Sequence, residues 1–104
     1  MESISWTHKL TQRCIDGTTA MPFPKNVSEK LIMNDHSSLT LVDEETETLY
    51  ECAIVTDPRD ENLRYIGDGW FEYIASKKFA VGSSLIFIYT IESRMLYVTL
   101  IERT

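Results

Sequence analysis

Several groups of residues in this sequence have side chains suited to chemistry. His8, His36, Cys14 and Cys52 are the candidate metal ligands. A metal site needs close-spaced pairs such as Cys-x-x-Cys or His-x-x-x-His, so that one short element presents two donors, and the sequence has none. His8 therefore reads as a strand-face residue and His36 as a loop residue. Asp43, Glu44, Glu45 and Glu47 crowd carboxylates together, but an acid–base pair requires a pocket that perturbs a pKa, and a solvated hairpin tip supplies none. Ser37-Ser38 and Ser83-Ser84 have no nucleophile elbow around them. Gly67-Asp68-Gly69 opens a helix as a phosphate loop would, yet Asp68 would repel a phosphate, and the longer glycine fingerprint with its lysine is missing. Asp68 reads as an N-cap that accepts from orphan helix amides. The sequence predicts no catalytic residues, no metal, no cofactor and no small-molecule substrate.

Two polar stretches are left, residues 11–19 and 57–62, and exposed arms held by a rigid scaffold are where binding resides. The elements that must hold them follow from periodicity. Residues 4–10 mix Ile and Trp with polar residues in loose alternation, the pattern of a strand with one buried face. Ala20-Met21-Pro22-Phe23 is too short and proline-interrupted for a central strand and fits only a sheet edge. Pro24 suits a first helical position, and Val27 and Leu31 at i, i+4 supply one apolar stripe for a helix over 24–32. Residues 38–42 and 48–56 form a hairpin with an acidic tip at 43–47. Asp57-Pro58 starts the second arm, which leads into a short strand at 63–66. A second helix covers 70–78 with Trp70, Phe71 and Ile74 facing inward, and strands at 85–91 and 95–101 close the chain. Connections are too short for parallel crossovers except where a helix intervenes. The order predicts a mostly antiparallel barrel or pseudobarrel plugged by two helices.

At 104 residues the chain is one domain, 1–104, large enough to bury a core without disulfides or metals. Two cysteines without close partners read as reduced, buried thiols, which suits an intracellular protein. The N-terminus shows no secretory pattern. The apolar run at 85–91 is far short of the roughly 20 residues of a membrane helix. Ten basic against sixteen acidic side chains, a net charge of −6, work against nonspecific attraction to nucleic acid or anionic lipid. That charge is unevenly placed. The tip at 43–47 holds −4 of it and lies roughly 30 Å from the second arm at about 3.3 Å per strand residue, beyond the screening length at physiological salt. Residues 9–30 carry a balance of +2, whereas residues 57–64 carry −1.

Gly67-Asp68-Gly69-Trp70-Phe71-Glu72-Tyr73-Ile74-Ala75, followed by Phe79-Ala80-Val81-Gly82-Ser83-Ser84-Leu85-Ile86-Phe87, resembles the pattern Gly-Trp-x-x-Phe/Ile and Leu-x-x-Gly-Asp-x-Leu-x-Phe of the plant-specific B3 DNA-binding domain. Lys9-Leu10-Thr11-Gln12, Met21-Pro22-Phe23-Pro24-Lys25 and Thr40-Leu41-Val42-Asp43 before Leu49-Tyr50-Glu51-Cys52 keep the order of that family. A serine stands where the family has Asp after Val-Gly. The resemblance implies a seven-stranded open pseudobarrel with two short helices, whose two arms grip the major groove of double-stranded DNA. It implies a non-enzymatic transcription regulator in the plant nucleus, possible association with another regulator, and contacts from 11–19 and 56–64. Carried over by position, Gln12, Arg13, Thr18, Thr19 and Lys25 serve the first arm and its flank, and Arg59, Asn62 and Arg64 the second. Arginine can pair with guanine and asparagine with adenine, while Thr, Gln and Lys25 suit backbone positioning. The acids Asp57, Asp60 and Glu61 depart from the basic second arm of strong DNA binders. They leave open a second reading, a B3-fold protein-interaction module with weak or lost DNA binding.

Overall fold

The computed structural model describes residues 2–17 and 20–102. In chain order the elements are β1 (Ser3–Lys9), α1 (Gln12–Asp16), β2 (Met21–Pro22), α2 (Lys25–Met33), β3 (Ser38–Asp43), β4 (Thr48–Asp57), β5 (Asp60–Ile66), α3 (Trp70–Lys77), β6 (Ser84–Thr90) and β7 (Met95–Glu102). The seven strands make one curled sheet in the order β1-β6-β7-β3-β4-β5-β2. Every neighbouring pair is antiparallel except β3 and β7. The pseudobarrel reading therefore holds, with one parallel pair inside a mostly antiparallel sheet. The proline-bearing β2 lies at an edge, where its missing N–H costs no ladder bond.

Alternation along the strands sorts side chains into a core and an outer face. Leu85, Phe87 and Tyr89 of β6 are buried while Ile86 and Ile88 between them are not. Trp70 is fully buried and packs near Tyr73, with centroids 5.6 Å apart, and Phe87, at 5.9 Å. Trp6 stacks on the other side of this group, 5.3 Å from Phe87, and meets Phe23 edge-on at 6.1 Å. These rings join β1, α3, β6 and the segment after β2. Replacing a ring of this kind with alanine costs about 3–5 kcal/mol.

The turn before α3 differs from the sequence reading in one respect. Asp68 is not the cap; Gly69 is, with no side-chain cap bond. The reason is the closeness of β4. Gly67 N–H donates to Ala53 O at 2.8 Å and Ala53 N–H to Asp68 O at 3.0 Å, so the turn is stitched to β4 through its backbone. Gly69 has φ +98, and a Cβ there would sit 2.6 Å from Cys52 Sγ. No other residue fits that approach without displacing the strand.

A third helix is the other difference. Residues 12–16 wind into α1 because Thr11 caps it, its Oγ1 accepting from Cys14 N–H at 3.4 Å, and Gly17 ends it in the left-handed region at φ +74. Cys14 is buried on the inner side of this turn, 3.8 Å from His8 Nε2. Cys14 and Cys52 are both free, buried thiols, and burial pushes the Cys52 thiol up to about 12.

Candidate nucleic-acid interface

The two arms meet across β2 and β5. Met21 pairs with Ile66 and Pro22 with Tyr65, and Phe23 N–H donates to Arg64 O at 3.0 Å. The segment leaving the first arm is thus tied to the return strand of the second, which gives the arms a common base.

In the first arm Gln12 and Arg13 are exposed on α1. Gln12 Nε2 donates to Asp16 Oδ1 at 2.7 Å, so its amide already serves an acid within the arm. Thr18 and Thr19 lie outside the described residues. Lys25 is exposed as the first residue of α2.

The second arm is a strand hairpin and not the irregular loop expected over 57–62. β4 runs to Asp57 and β5 starts at Asp60, leaving Pro58-Arg59 as the tip. The pairing passes from Thr56↔Arg64 to Asp57↔Asp60, so Glu61, Asn62 and Leu63 have no counterparts on β4 and form a bulge. Two acids shape it. Asp57 Oδ1 accepts from Arg59 N–H at 2.8 Å and Asp60 Oδ1 from Asn62 N–H at 2.9 Å, local bonds that aspartate makes readily in turns. Arg59 and Asn62 are exposed.

Arg64 is half-buried and occupied. Its Nη1 donates to Glu61 O at 2.7 Å and to Leu63 O at 3.2 Å, both carbonyls of the bulge. Its backbone N–H donates to Ser28 Oγ at 3.1 Å, and Ser28 is wholly buried in α2. Ser28 escaped the sequence reading because a serine in a helix gives no periodic signal; its purpose is visible only once β5 lies beside it. The contact ties α2 to β5, and a cleft of about 710 Å³ lies between α2 and the arm, lined by Lys25, Glu29, Ile32, Met33, Asp60, Asn62 and Leu63. Of the sequence-predicted residues, Lys25 and Asn62 are thus brought together. Arg59 stands at the hairpin tip, and Gln12 and Arg13 lie on α1.

The other acidic stretch is also corrected. Asp43 is buried, at 2% exposure, not solvated at a tip. Lys77 Nζ of α3 lies 3.0 Å from its Oδ2 and 3.2 Å from Glu45 Oε1. Asp43 Oδ1 accepts from Glu45 N–H at 3.0 Å. Burial opposes ionisation of Asp43, but Lys77 and the neighbouring donors outweigh it and hold the carboxyl below its ordinary range. The site fastens the β3–β4 turn to α3. Among the described residues no three His, Cys, Asp or Glu side chains converge on a metal-sized site, and no helix is long and apolar enough to cross a membrane.

No family model matches the chain, and no curated protein matches it in sequence. Among solved structures, the chain is similar to the hypothetical Arabidopsis thaliana protein At1g16640.1, with a TM-score of 0.72 and 13% identity over 99% of this chain and 94% of that one. It is also similar to a chain of the Arabidopsis FUS3-DNA complex, with a TM-score of 0.68 and 10% identity over 95% of this chain and 97% of that one. The fold is that of the B3 domain, a seven-stranded pseudobarrel, here with three short helices.

Proposed function

We propose that this B3-fold chain, a single domain, is a non-enzymatic, sequence-specific duplex-DNA-binding module of a plant transcriptional regulator, acting in the nucleus. The observation that carries this reading is the likeness in fold, over nearly the whole of both chains, to a protein solved on DNA. The arms α1 and the β4–β5 hairpin enter the major groove from their common base. Arg13 and Arg59 take guanine edges or phosphates, Asn62 takes an adenine edge, and Lys25, Gln12, Thr18 and Thr19 hold the backbone. Arg64, engaged with the bulge carbonyls, sets the position of Asn62 and presents its remaining guanidinium N–H groups from beneath the arm.

A second reading has its own observation. Residues 57–64 hold three acids against two arginines, and one of those arginines is committed to backbone carbonyls. Phosphate contacts supply most of nonspecific affinity, so such an arm suits a module that meets a protein partner and binds DNA weakly. Selection from a random duplex pool, followed by a salt series, separates the two. The DNA reading expects an enriched motif whose affinity falls linearly in log–log salt by about 0.9 per phosphate contacted, and a clear loss on Arg13→Ala and on Arg59→Ala. Absence of salt-dependent binding to any duplex would sink it.

A further inference from the structure

We propose that the cleft between α2 and the β4–β5 hairpin docks a peptide segment of a protein partner, one in which a lysine or arginine stands near an exposed apolar side chain. The proposal rests on the protein-interaction reading above and gives it a surface and a partner chemistry. The helix period builds one wall. Val27, Ser28 and Leu31 are buried, which leaves Lys25, Glu29 and Met33, spaced i, i+4 and i+8, on a common outward face beside Ile32. Asp60 and Leu63 of β5 belong to the other wall. Met33 is 73% exposed and Ile32 38%. A single apolar side chain at the surface is ordinary, but here Ile32, Met33 and Leu63 line one concavity whose volume is in the range of ligand sites. A flexible thioether at such a place adapts to the shape of a partner.

Charge selects the occupant. Glu29 stands on one wall and Asp60 on the other, both exposed, and neither joins an ion pair among the described residues. At Asp43 the chain supplies its own cation, Lys77. In the cleft the cation is left for a partner to bring. Lys25, the cleft's own base, pairs with neither acid and suits a main-chain carbonyl of the occupant. Complementarity of this kind fixes the register of a segment and rejects wrong partners, since like charges across an interface are costly. A second copy carries the same −6 and is repelled. A duplex that touches Lys25 and Asn62 has no use for Ile32, Met33 and Leu63, and its phosphates would be repelled by Glu29 and Asp60. If the arms also read DNA, the segment competes with the duplex for Lys25 and Asn62.

Short synthetic peptides, each with one Leu, Met or Phe and one Arg at varied spacing in a Gly-Ser background, test the proposal when titrated into the isotopically labelled whole chain without DNA. NMR should show shifts at the Met33 and Ile32 methyls and the Glu29 amide, with a dissociation constant of about 100 μM, as a small interface implies. Matched peptides with Glu for Arg, or Ser for the apolar residue, should bind about tenfold more weakly or worse. Glu29→Lys and Met33→Ser, both at exposed positions, should each weaken the best peptide by about tenfold. Glu44→Lys makes the same charge change in the β3–β4 turn and should leave it within about twofold, because distant charges are screened. Circular dichroism of the variants confirms the fold. The proposal is overturned if no peptide shifts the cleft residues, if Glu peptides bind as well as Arg peptides, or if binding survives both cleft variants. It is overturned also if the same methyls shift with protein concentration alone, which assigns the cleft to a second copy, or shift with a duplex and no peptide, which assigns it to nucleic acid. Peptides that shift only residues elsewhere overturn the cleft and leave the protein-interaction reading standing.

Discussion

The strand β4 ends at both extremities in acidic turns that look alike in sequence and do opposite things. At residues 43–47 the acid Asp43 is buried and answered by Lys77, so its charge is used up in fastening α3 to the β3–β4 turn. At residues 57–61 the acids Asp57 and Asp60 are spent on two backbone amides, which shape the tip but leave their charge at the surface. Arg64 of the same hairpin turns to carbonyl oxygens and not to carboxylates. An acidic turn can therefore be structural at no electrostatic cost to its surroundings, or structural at the expense of the site it builds. What decides is whether a cation from another element reaches it.

The comparison breaks most visibly at Asp43. Asp43→Ala should destabilise the fold by about 3 kcal/mol, because it leaves Lys77 half-paired at the edge of the core, and lower the thermal midpoint by roughly 15 °C. Asp57→Ala should cost about 1 kcal/mol, the scale of one local hydrogen bond. Equal losses in thermal denaturation would show that the two turns are held alike.

Acid should expose the same contrast. The Asp43 carboxyl is held below its ordinary 3.8, so its contribution is complete above about that pH and is lost as pH falls through the folded value. His36 and His8 act in the same direction from a higher pH. Burial lowers both below their ordinary 6.5, Arg94 adding to the effect at His36 and Asp35 opposing it. Their contribution is complete above about 6.5 and declines below it, because the unfolded chain takes up the protons first. Nδ1 of His36 lies 2.7 Å from the hydroxyl of buried Tyr89. Denaturant titrations should show stability falling in two stages on acidification. Asp43→Asn should flatten the lower stage, and a variant that still shows it would move the responsibility to other carboxylates.

At Arg64 the question is whether the residue shapes the arm or reads DNA. Loss of two carbonyl contacts from a half-buried guanidinium should cost about 1–2 kcal/mol, with DNA affinity falling in parallel. If Arg64→Ala keeps its thermal midpoint and loses only DNA binding, the side chain is a reader and the bulge stands without it.

The fold was legible because it is written in local signals that tertiary contacts do not overturn. Alternating apolar residues placed the strands within a residue or two, except β5, which begins at Asp60 and not at Leu63, and Gly67, Gly69 and Trp70 announced the strand-to-helix turn. The reason for Gly69 was not legible, since it is the approach of Cys52 from a strand remote in sequence. Nor was α1, whose five residues are too few for periodicity and whose only advance marks are Thr11 and Gly17. Asp43 was misjudged as solvated because its partner Lys77 lies 34 residues away, at the far end of α3. The site was legible only in composition: Asp57-Pro58 marked a turn, but the bulge depends on Ser28 and on pairing with β4, and neither leaves a pattern near residues 61–64.

The smallest change tests whether the second arm's charge is a defect or a requirement. Glu61 is exposed, and its backbone carbonyl accepts from Arg64. Glu61→Lys therefore leaves the bulge bonds in place and changes the balance over residues 57–64 from −1 to +1. Stability should stay within about 0.5 kcal/mol, as for a surface substitution away from structural contacts. If the arm lies along DNA, one added phosphate contact should raise duplex affinity at low salt and steepen the log–log salt slope by about 0.9. The same change at Glu44, in the other acidic turn, should leave the slope unaltered, because that turn lies roughly 30 Å away along β4. Equal effects at Glu44 and Glu61 would mean that net charge and not the hairpin controls DNA binding, and the distinction between the two turns would then stop at stability.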